Sequence, residues 1–217
     1  MNKNSYVRIG FTIIELLVVV SIITILVSIL FPALYKAKFQ GQSIVCTGNL
    51  KQIGLTSMIY TDYNNSWLLP GKVSGSYWYL LISEASTSDS NLKMPKNFTC
   101  PSEKTPHGLA SAGYYQYTHY GSNTFLTGRY SWTTGELEST NEHAHKLSQI
   151  KIPNLALTTI DSWRKSNYAV NYIAFTGFRH SGTKANALYV DGHVNGVKFT
   201  GAVEGMFRTG FDFPGYE

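Results

Sequence analysis

The chain has 217 residues, of which 43% are hydrophobic and only 14% charged, and its formal net charge is +5. This charge is too small to indicate a nucleic-acid partner, and the composition excludes a disordered tail or a coiled coil. The 15 tyrosines and 19 glycines are typical of a β-rich, turn-rich domain. About 150 residues are left for that domain after the N-terminal segments, which is a normal size.

An apolar segment follows a polar leader of ten residues. Residues 11–34 carry one formal charge, Glu15, and as a helix they extend roughly 36 Å, enough to cross a bilayer. A carboxylate in hydrocarbon is costly, so a lone glutamate there is a candidate functional residue. If the chain is cut after Gly10, Phe11 gains a free α-amine one helical turn from Glu15. The carboxylate then suits the helix dipole, and it can pair with the amine of a neighbouring copy when helices bundle.

The basic leader that ends in Gly10, followed by FTIIELLVVV from Phe11, resembles the leader of type IV prepilins and type II secretion pseudopilins. The resemblance implies that a prepilin peptidase cleaves between Gly10 and Phe11 and methylates the new terminal Phe11. It also implies that Glu15 is the assembly carboxylate. An ordinary signal anchor explains the apolar run but not Gly10, Phe11 and Glu15 together.

The charges beside the apolar segment predict its orientation. Lys3 and Arg8 precede it, which predicts a single-pass protein with a cytoplasmic N-terminus and an exported remainder. With the resemblance, this implies the inner membrane and a periplasmic or extracellular domain. The exported side is oxidising, so Cys46 and Cys100 can form a disulfide. Its loop of about 55 residues corresponds to roughly 4 kcal/mol in the chain-entropy model. Two buried thiols are the alternative.

The helix is expected to continue beyond the membrane. From Gln40 the pattern becomes amphipathic, with spacings of four, three, four and three residues along one face. We therefore predict one long helix, with residues 11–34 in lipid and residues 35–62 packed on the exported domain, ending in the segment 62–65. The predicted buried stripe consists of Cys46, Leu50, Ile53, Ser57 and Tyr60.

Residues 63–217 are predicted to form a small antiparallel β domain, so the fold class is α+β and pilin-like. Residues 77–82 are apolar and fit either a short strand or a small helix, and residues 156–160 are predicted to be a buried strand. The clearest β signal is a pair of apolar runs, 185–190 and 193–199, separated by Asp-Gly. This pattern predicts a hairpin with a type I′ turn, in which both turn residues have positive φ.

A second resemblance covers most of the remaining chain. The blocks are Cys46 with NLKQIG, FTCP at 98–101, YGSN at 120–123, and Arg179-His180 followed by DGHV at 191–194. Together they resemble prepilin-type proteins with an H-X9-DG C-terminal region. In this chain ten residues, not nine, separate His180 from Asp191. The resemblance implies a placement among pilin-like proteins but no reaction.

A ligand site is one hypothesis for this C-terminal region. His180, Asp191 and His193 are the best candidates, and Asp161 and Asp191 are the predicted ligands of a Ca²⁺ ion at the hairpin tip. Related major pseudopilins resemble this in binding calcium in a C-terminal β loop. In the alternative, the Asp-Gly pair only forms the turn and His180 bonds a backbone group. Since no catalytic motif is present, we expect no enzyme and no cofactor apart from this calcium.

The sequence thus predicts a structural subunit of a type II secretion pseudopilus or a type IV pilus-like filament. Its expected partners are a prepilin peptidase/methyltransferase, other pilin or pseudopilin subunits, an inner-membrane assembly platform and membrane lipid. The alternative function is a membrane-tethered or fibre-displayed binding module, an adhesin for glycan or DNA. Its candidate surface is the tyrosine-rich segment 114–120.

Overall fold

The computed structural model describes residues 11–73, 76–83, 96–103, 118–128, 144–163, 176–180, 183–198 and 207. Gly10, and with it half of the predicted cleavage site, lies outside these residues, as do residues 114–117 of the tyrosine-rich segment. The chain divides into two compact units, Met1–Phe39 and Gln40–Glu217. The long helix α1, Ile13–Tyr63, contributes residues to both units.

In the first unit, α1 is apolar and exposed on all sides. Its most apolar window of 18 residues has a mean hydropathy of 3.0 and no buried residue, so the helix is long and apolar enough to cross a membrane. The polar side chains of this segment bond the helix itself: Ser21 Oγ donates to Leu17 O and Thr24 Oγ1 donates to Val20 O, both at 2.7 Å. Such bonds satisfy hydroxyl groups without water, which suits an apolar surrounding.

In the second unit, α1 buries one face. Cys46, Leu50 and Ile53 are fully buried, which confirms the first three positions of the predicted stripe, whereas Ser57 and Tyr60 are half-buried. Burying an aliphatic side chain of this size stabilises the fold by about 1.5–3 kcal/mol, so this face is a principal anchor of the helix.

The end of α1 confirms the predicted stop in the segment 62–65. Ser66 N donates to Thr61 O at 3.0 Å, a bond that spans five residues and closes the last turn. Asn65 and Ser66 have positive φ, at 52° and 64°. A left-handed residue after the last turn is the usual way to end a helix, and asparagine tolerates it better than most residues.

Short elements follow the helix. Strands β1, Lys72–Val73, and β2, Ser76–Tyr77, pair antiparallel, and helix α2 spans Trp78–Ile82. Residues 77–82 thus form mainly a small helix, one of the two alternatives, strand or helix, that the sequence left open. A 3₁₀ turn covers Lys96–Phe98.

The main sheet has four antiparallel strands in the order β3-β4-β5-β6. Strand β4 confirms the strand predicted at 156–160, shifted by one residue. Helix α3, Thr124–Thr127, and a 3₁₀ turn, Leu147–Gln149, lie between β3 and β4 in sequence. The strand bounds are Tyr120–Ser122 for β3, Leu157–Asp161 for β4, Lys184–Tyr189 for β5 and Val194–Lys198 for β6.

The β5–β6 hairpin confirms the predicted pairing, but the predicted type I′ turn is wrong. Gly192 has a positive φ of 86°, whereas Asp191 is not among the residues with positive φ. Gly192 N donates to Tyr189 O at 2.9 Å, and Tyr189 N donates to His193 O at 3.0 Å. These bonds define a three-residue loop in which the glycine forms a bulge, so one left-handed residue is sufficient.

Side chains of the sheet point alternately into two hydrophobic clusters. On β5, Leu188 joins the cluster that contains the buried face of α1, while Ala185 and Ala187 join a cluster on the other face. This alternation follows the two-residue repeat of a strand. Together with the helix and the antiparallel sheet, it gives an α+β fold.

Candidate functional site

The first candidate site is the start of α1. Glu15 Oε2 accepts hydrogen bonds from Thr12 N at 2.9 Å and Thr12 Oγ1 at 2.8 Å, and Glu15 N donates to Thr12 Oγ1 at 3.3 Å. This is a capping box, in which each residue satisfies a polar group of the other at the helix end. The lone carboxylate of the apolar segment is therefore held by Thr12 of its own chain. Phe11, which directly precedes Thr12, is 71% exposed.

The second candidate site surrounds the disulfide between Cys46 and Cys100, which confirms the predicted pairing. The two Cα atoms are 5.3 Å apart, within the ordinary range for a bonded pair. Two hydrogen bonds flank this link: Asn49 Nδ2 donates to Thr99 O at 2.8 Å, and Gln42 Nε2 donates to Pro101 O at 3.1 Å. The helix is thus attached to residues 99–101 over two of its turns.

A buried histidine–aspartate pair lies against the disulfide. His180 Nε2 is 3.0 Å from Asp161 Oδ2 and 3.7 Å from Cys100 Sγ, and both His180 and Asp161 are at most 2% exposed. A carboxylate only accepts, so the imidazole nitrogen is the donor. Asn186 N also donates to Asp161 Oδ2, at 2.6 Å. Among the described residues, the His180 ring contacts the Asp161 carboxylate, Cys100 Sγ and, through Nδ1 at 3.5 Å, Ser102 Oγ.

The structure does not bring together the two carboxylates predicted to bind calcium. Asp161 lies beside Asn186, near the start of β5, whereas Asp191 lies beyond the end of this strand. The three residue steps of extended strand from Asn186 to Tyr189 already correspond to about 10 Å, so one ion cannot contact both carboxylates. Asp191 instead pairs with His193, with 2.6 Å between Oδ1 and Nδ1. The two predicted calcium ligands thus lie in two separate acid–histidine pairs.

This arrangement explains why a histidine and an Asp-Gly pair flank one segment. His180 forms two backbone hydrogen bonds with Lys184, at 3.0 and 2.9 Å, directly before β5. Asp191 and Gly192 form the turn that follows the same strand. The residues between His180 and Asp191 therefore include the whole of β5. The side chains of His180 and Asp191 lie before and after this strand.

Further polar contacts enclose the buried pair. Arg179 Nη1 is 3.1 Å from Glu103 Oε2, and Arg179 Nη2 donates to Ser162 O. Cys100 N donates to His119 Nδ1 at 2.8 Å. The disulfide thus belongs to a hydrophobic cluster, and Cys100 also contacts the polar groups of His119 and His180.

Tyr120 connects this polar cluster to the helix. Its hydroxyl accepts a hydrogen bond from Asn49 Nδ2 at 3.3 Å, and its ring is fully buried. Burial, reinforced by the negative charge of Asp161, raises the pKa of the Tyr120 phenol above its ordinary value.

An aromatic pocket lies at the end of α1. Its volume is about 320 Å³, and Cys46, Cys100, Asp161 and His180 are not among its lining residues. The Trp67 ring is 42% exposed and lies 5.2 Å from Lys146 Nζ. Tyr63 is 86% exposed. The lining residues are Tyr60, Tyr63, Asn64, Asn65, Trp67, Leu68, Pro70, Val73 and Ala144.

Sequence reasoning identified the two cysteines, His180 and Asp161 but not their common location. The signal available was weak: Asp161 ends a buried strand, and a carboxylate at such a position needs a partner. No family model, curated protein or solved structure matches this chain.

Proposed function

We propose that this chain is a structural subunit of a pilin-like filament, of the type II secretion or type IV pilus kind. The observation that carries the proposal is the start of α1, an apolar helix exposed on every side with a single acid in its first turn. In this proposal a prepilin peptidase removes residues 1–10 and methylates Phe11. The subunit waits in the inner membrane, with its second unit on the exported side, until an assembly platform adds it to the filament.

The apolar helix surface suits both the membrane stage and the filament stage of this proposal. Lipid tails are as apolar as leucine, so moving the helix from lipid to a bundle of other helices loses little hydrophobic free energy. Packing and polar pairing can then decide the equilibrium. The same surface exposed to water would favour aggregation, because every exposed aliphatic side chain costs free energy in proportion to its area.

Glu15 supplies the polar pairing in this proposal. In the single subunit its carboxylate is bound by Thr12 and favoured by the helix dipole, so the membrane-bound state is tolerable. In the filament, the carboxylate also accepts a hydrogen bond from the α-amine of Phe11 in a neighbouring copy. Since an unpaired charge in an apolar bundle is strongly destabilising, a subunit that docks in the wrong register is rejected.

The test compares three variants in a cell that assembles the filament. Glu15→Leu removes the acid, Glu15→Gln removes only the charge, and Leu16→Ile is the matched control on the same helix. We expect all three to insert and to be cleaved, because the apolar length is unchanged, and only Leu16→Ile to assemble. The readouts are the intact mass of the membrane form, which should begin at a methylated Phe11, and the amount of sheared filament. Normal filament yield with Glu15→Leu would contradict the docking role.

The aromatic pocket favours a second candidate function, a binding module for glycans. Exposed rings of Trp67 and Tyr63 offer stacking faces for sugar, and Asn65 offers an exposed amide. Glycan-array binding by the full chain tests it, with Trp67→Ala as the disrupting variant. Trp163→Ala is the control, since Trp163 is 54% exposed and does not line the pocket. Equal binding by both variants would exclude this pocket as the site.

A further inference from the structure

We infer that Cys46, Cys100 and His180 bind one thiophilic divalent cation, of the zinc class, when the two cysteines are reduced. The two Sγ atoms and a ring nitrogen of His180 all lie within 4.8 Å of one another. The three residues are 0%, 1% and 2% exposed, so a bound ion would be shielded from water. Two thiolates and an imidazole are a ligand set that zinc uses widely.

The distances suit a tetrahedral ion. With ligands at 2.0–2.3 Å, neighbouring ligand atoms around such an ion are roughly 3.3–3.8 Å apart. His180 Nε2 already lies 3.7 Å from Cys100 Sγ and 3.0 Å from Asp161 Oδ2. Reduction lets the two sulfur atoms separate to a similar distance with small side-chain rotations. His180 Nε2 therefore faces both Cys100 Sγ and the Asp161 carboxylate, as an ion bound by all three groups requires.

Asp161 is the group nearest to a fourth position. It is fully buried, and its Oδ1 has no hydrogen-bond partner within the part of the chain that the structure describes. A buried carboxylate oxygen without a partner is costly. A cation at the cluster would contact this carboxylate directly, and Ser102 Oγ, 3.5 Å from His180 Nδ1, would then orient the ring from its other nitrogen.

Metal binding and disulfide formation exclude each other in this proposal. Two thiols release two protons when one divalent cation binds their thiolates. Closing the disulfide removes two electrons from the two thiolates and requires a disulfide-class oxidant, which accepts both electrons. The cation is released in the same step. The ion would therefore hold α1 to the segment around Cys100 in the reduced chain, and the covalent bond does so after oxidation.

Cobalt(II) titration of the full chain in detergent micelles tests the inference. The protein is reduced with a phosphine, which leaves no competing thiol. We expect one equivalent of cobalt to produce a thiolate charge-transfer band and the strong visible bands of a tetrahedral site, and zinc to displace it. The unreduced protein should show neither band.

Three variants then locate the site. His180→Ala should weaken cobalt binding by more than about tenfold and reduce the visible bands, and Asp161→Asn should weaken it by about 10- to 100-fold. His193→Ala is the control, because this histidine pairs with Asp191 at the hairpin turn, and it should bind as the unaltered protein does.

Near-UV circular dichroism shows whether the reduced chain stays folded. If it unfolds, cobalt or zinc should restore the folded spectrum in the unaltered protein and not in His180→Ala. Absence of a tetrahedral cobalt spectrum in the reduced protein would overturn the inference. Equal binding with and without His180 would also overturn it, because the thiolates alone would then account for the ion.

Discussion

Reducing the disulfide tests how far one covalent link stabilises the second unit. The bond joins residues 54 apart in sequence, so it closes a loop of about 55 residues. In the chain-entropy model this loop restricts the unfolded chain by about 14 cal/mol/K, or about 4 kcal/mol at 25 °C. We expect the free energy of unfolding to fall by that amount when the bond is reduced.

The assay is guanidinium unfolding of the full chain in micelles, followed by the fluorescence of the buried Trp78. A chelator is present throughout, so that no metal replaces the bond. The variant Cys46→Ala/Cys100→Ala should lose at least as much, since it also removes two buried sulfur atoms. A loss below about 1 kcal/mol would refute the reasoning, because it would mean that the unfolded chain already keeps the two segments close.

Two further predictions concern the hairpin turn and the buried phenol. Gly192→Ala should lower the free energy of unfolding by about 1–3 kcal/mol, because φ is +86°, while the methyl group of Met58, 2.7 Å from the new Cβ, can move aside. Gly196→Ala, where the nearest atom is 3.9 Å away, should change it little in the same thermal unfolding assay. The raised pKa of Tyr120 stabilises the fold fully below about pH 10, and this contribution is lost at higher pH because the unfolded chain ionises first. Tyr120→Phe should therefore flatten the fall in stability between about pH 9 and 12, and an unchanged slope would contradict the assignment.

The long helix was predictable because its signals are local. An unbroken apolar run, and then apolar positions such as Leu50 and Ile53 spaced three or four residues apart, specify a helix regardless of what surrounds it. The predicted helix and the observed one differ by two residues at the start and one at the end. The start at Ile13 follows from Thr12, which caps the helix and so lies outside it.

The turn was mispredicted because Asp-Gly is compatible with more than one hairpin loop. The bulged loop includes Val190, a buried residue that belongs to the second hydrophobic cluster. A two-residue turn would place Val190 in the hydrogen-bonded pairing of β5 with β6. The three-residue loop instead lets Val190 pack into the cluster that contains Ala185 and Ala187. Core packing, which the local sequence does not encode, therefore selected the loop.

The polar cluster at the disulfide was beyond sequence reasoning for a similar reason. His180 and Asp161 are 19 residues apart and meet because β4 and β5 pair in one register. Cys100 reaches them only through the folded arrangement of the segment that precedes β3. Each residue was a candidate by its chemistry, but the sheet register decided which of them are neighbours.

The disulfide also changes how the second unit responds to force. If the chain is pulled by its N-terminal helix, tension enters the second unit through α1 and meets Cys46 early in that unit. The bond spans 5.3 Å between Cα atoms, while the chain it bypasses could extend to about 180 Å. While the bond is intact, the residues between the two cysteines therefore lie outside the covalent path that carries the tension and cannot add length to it.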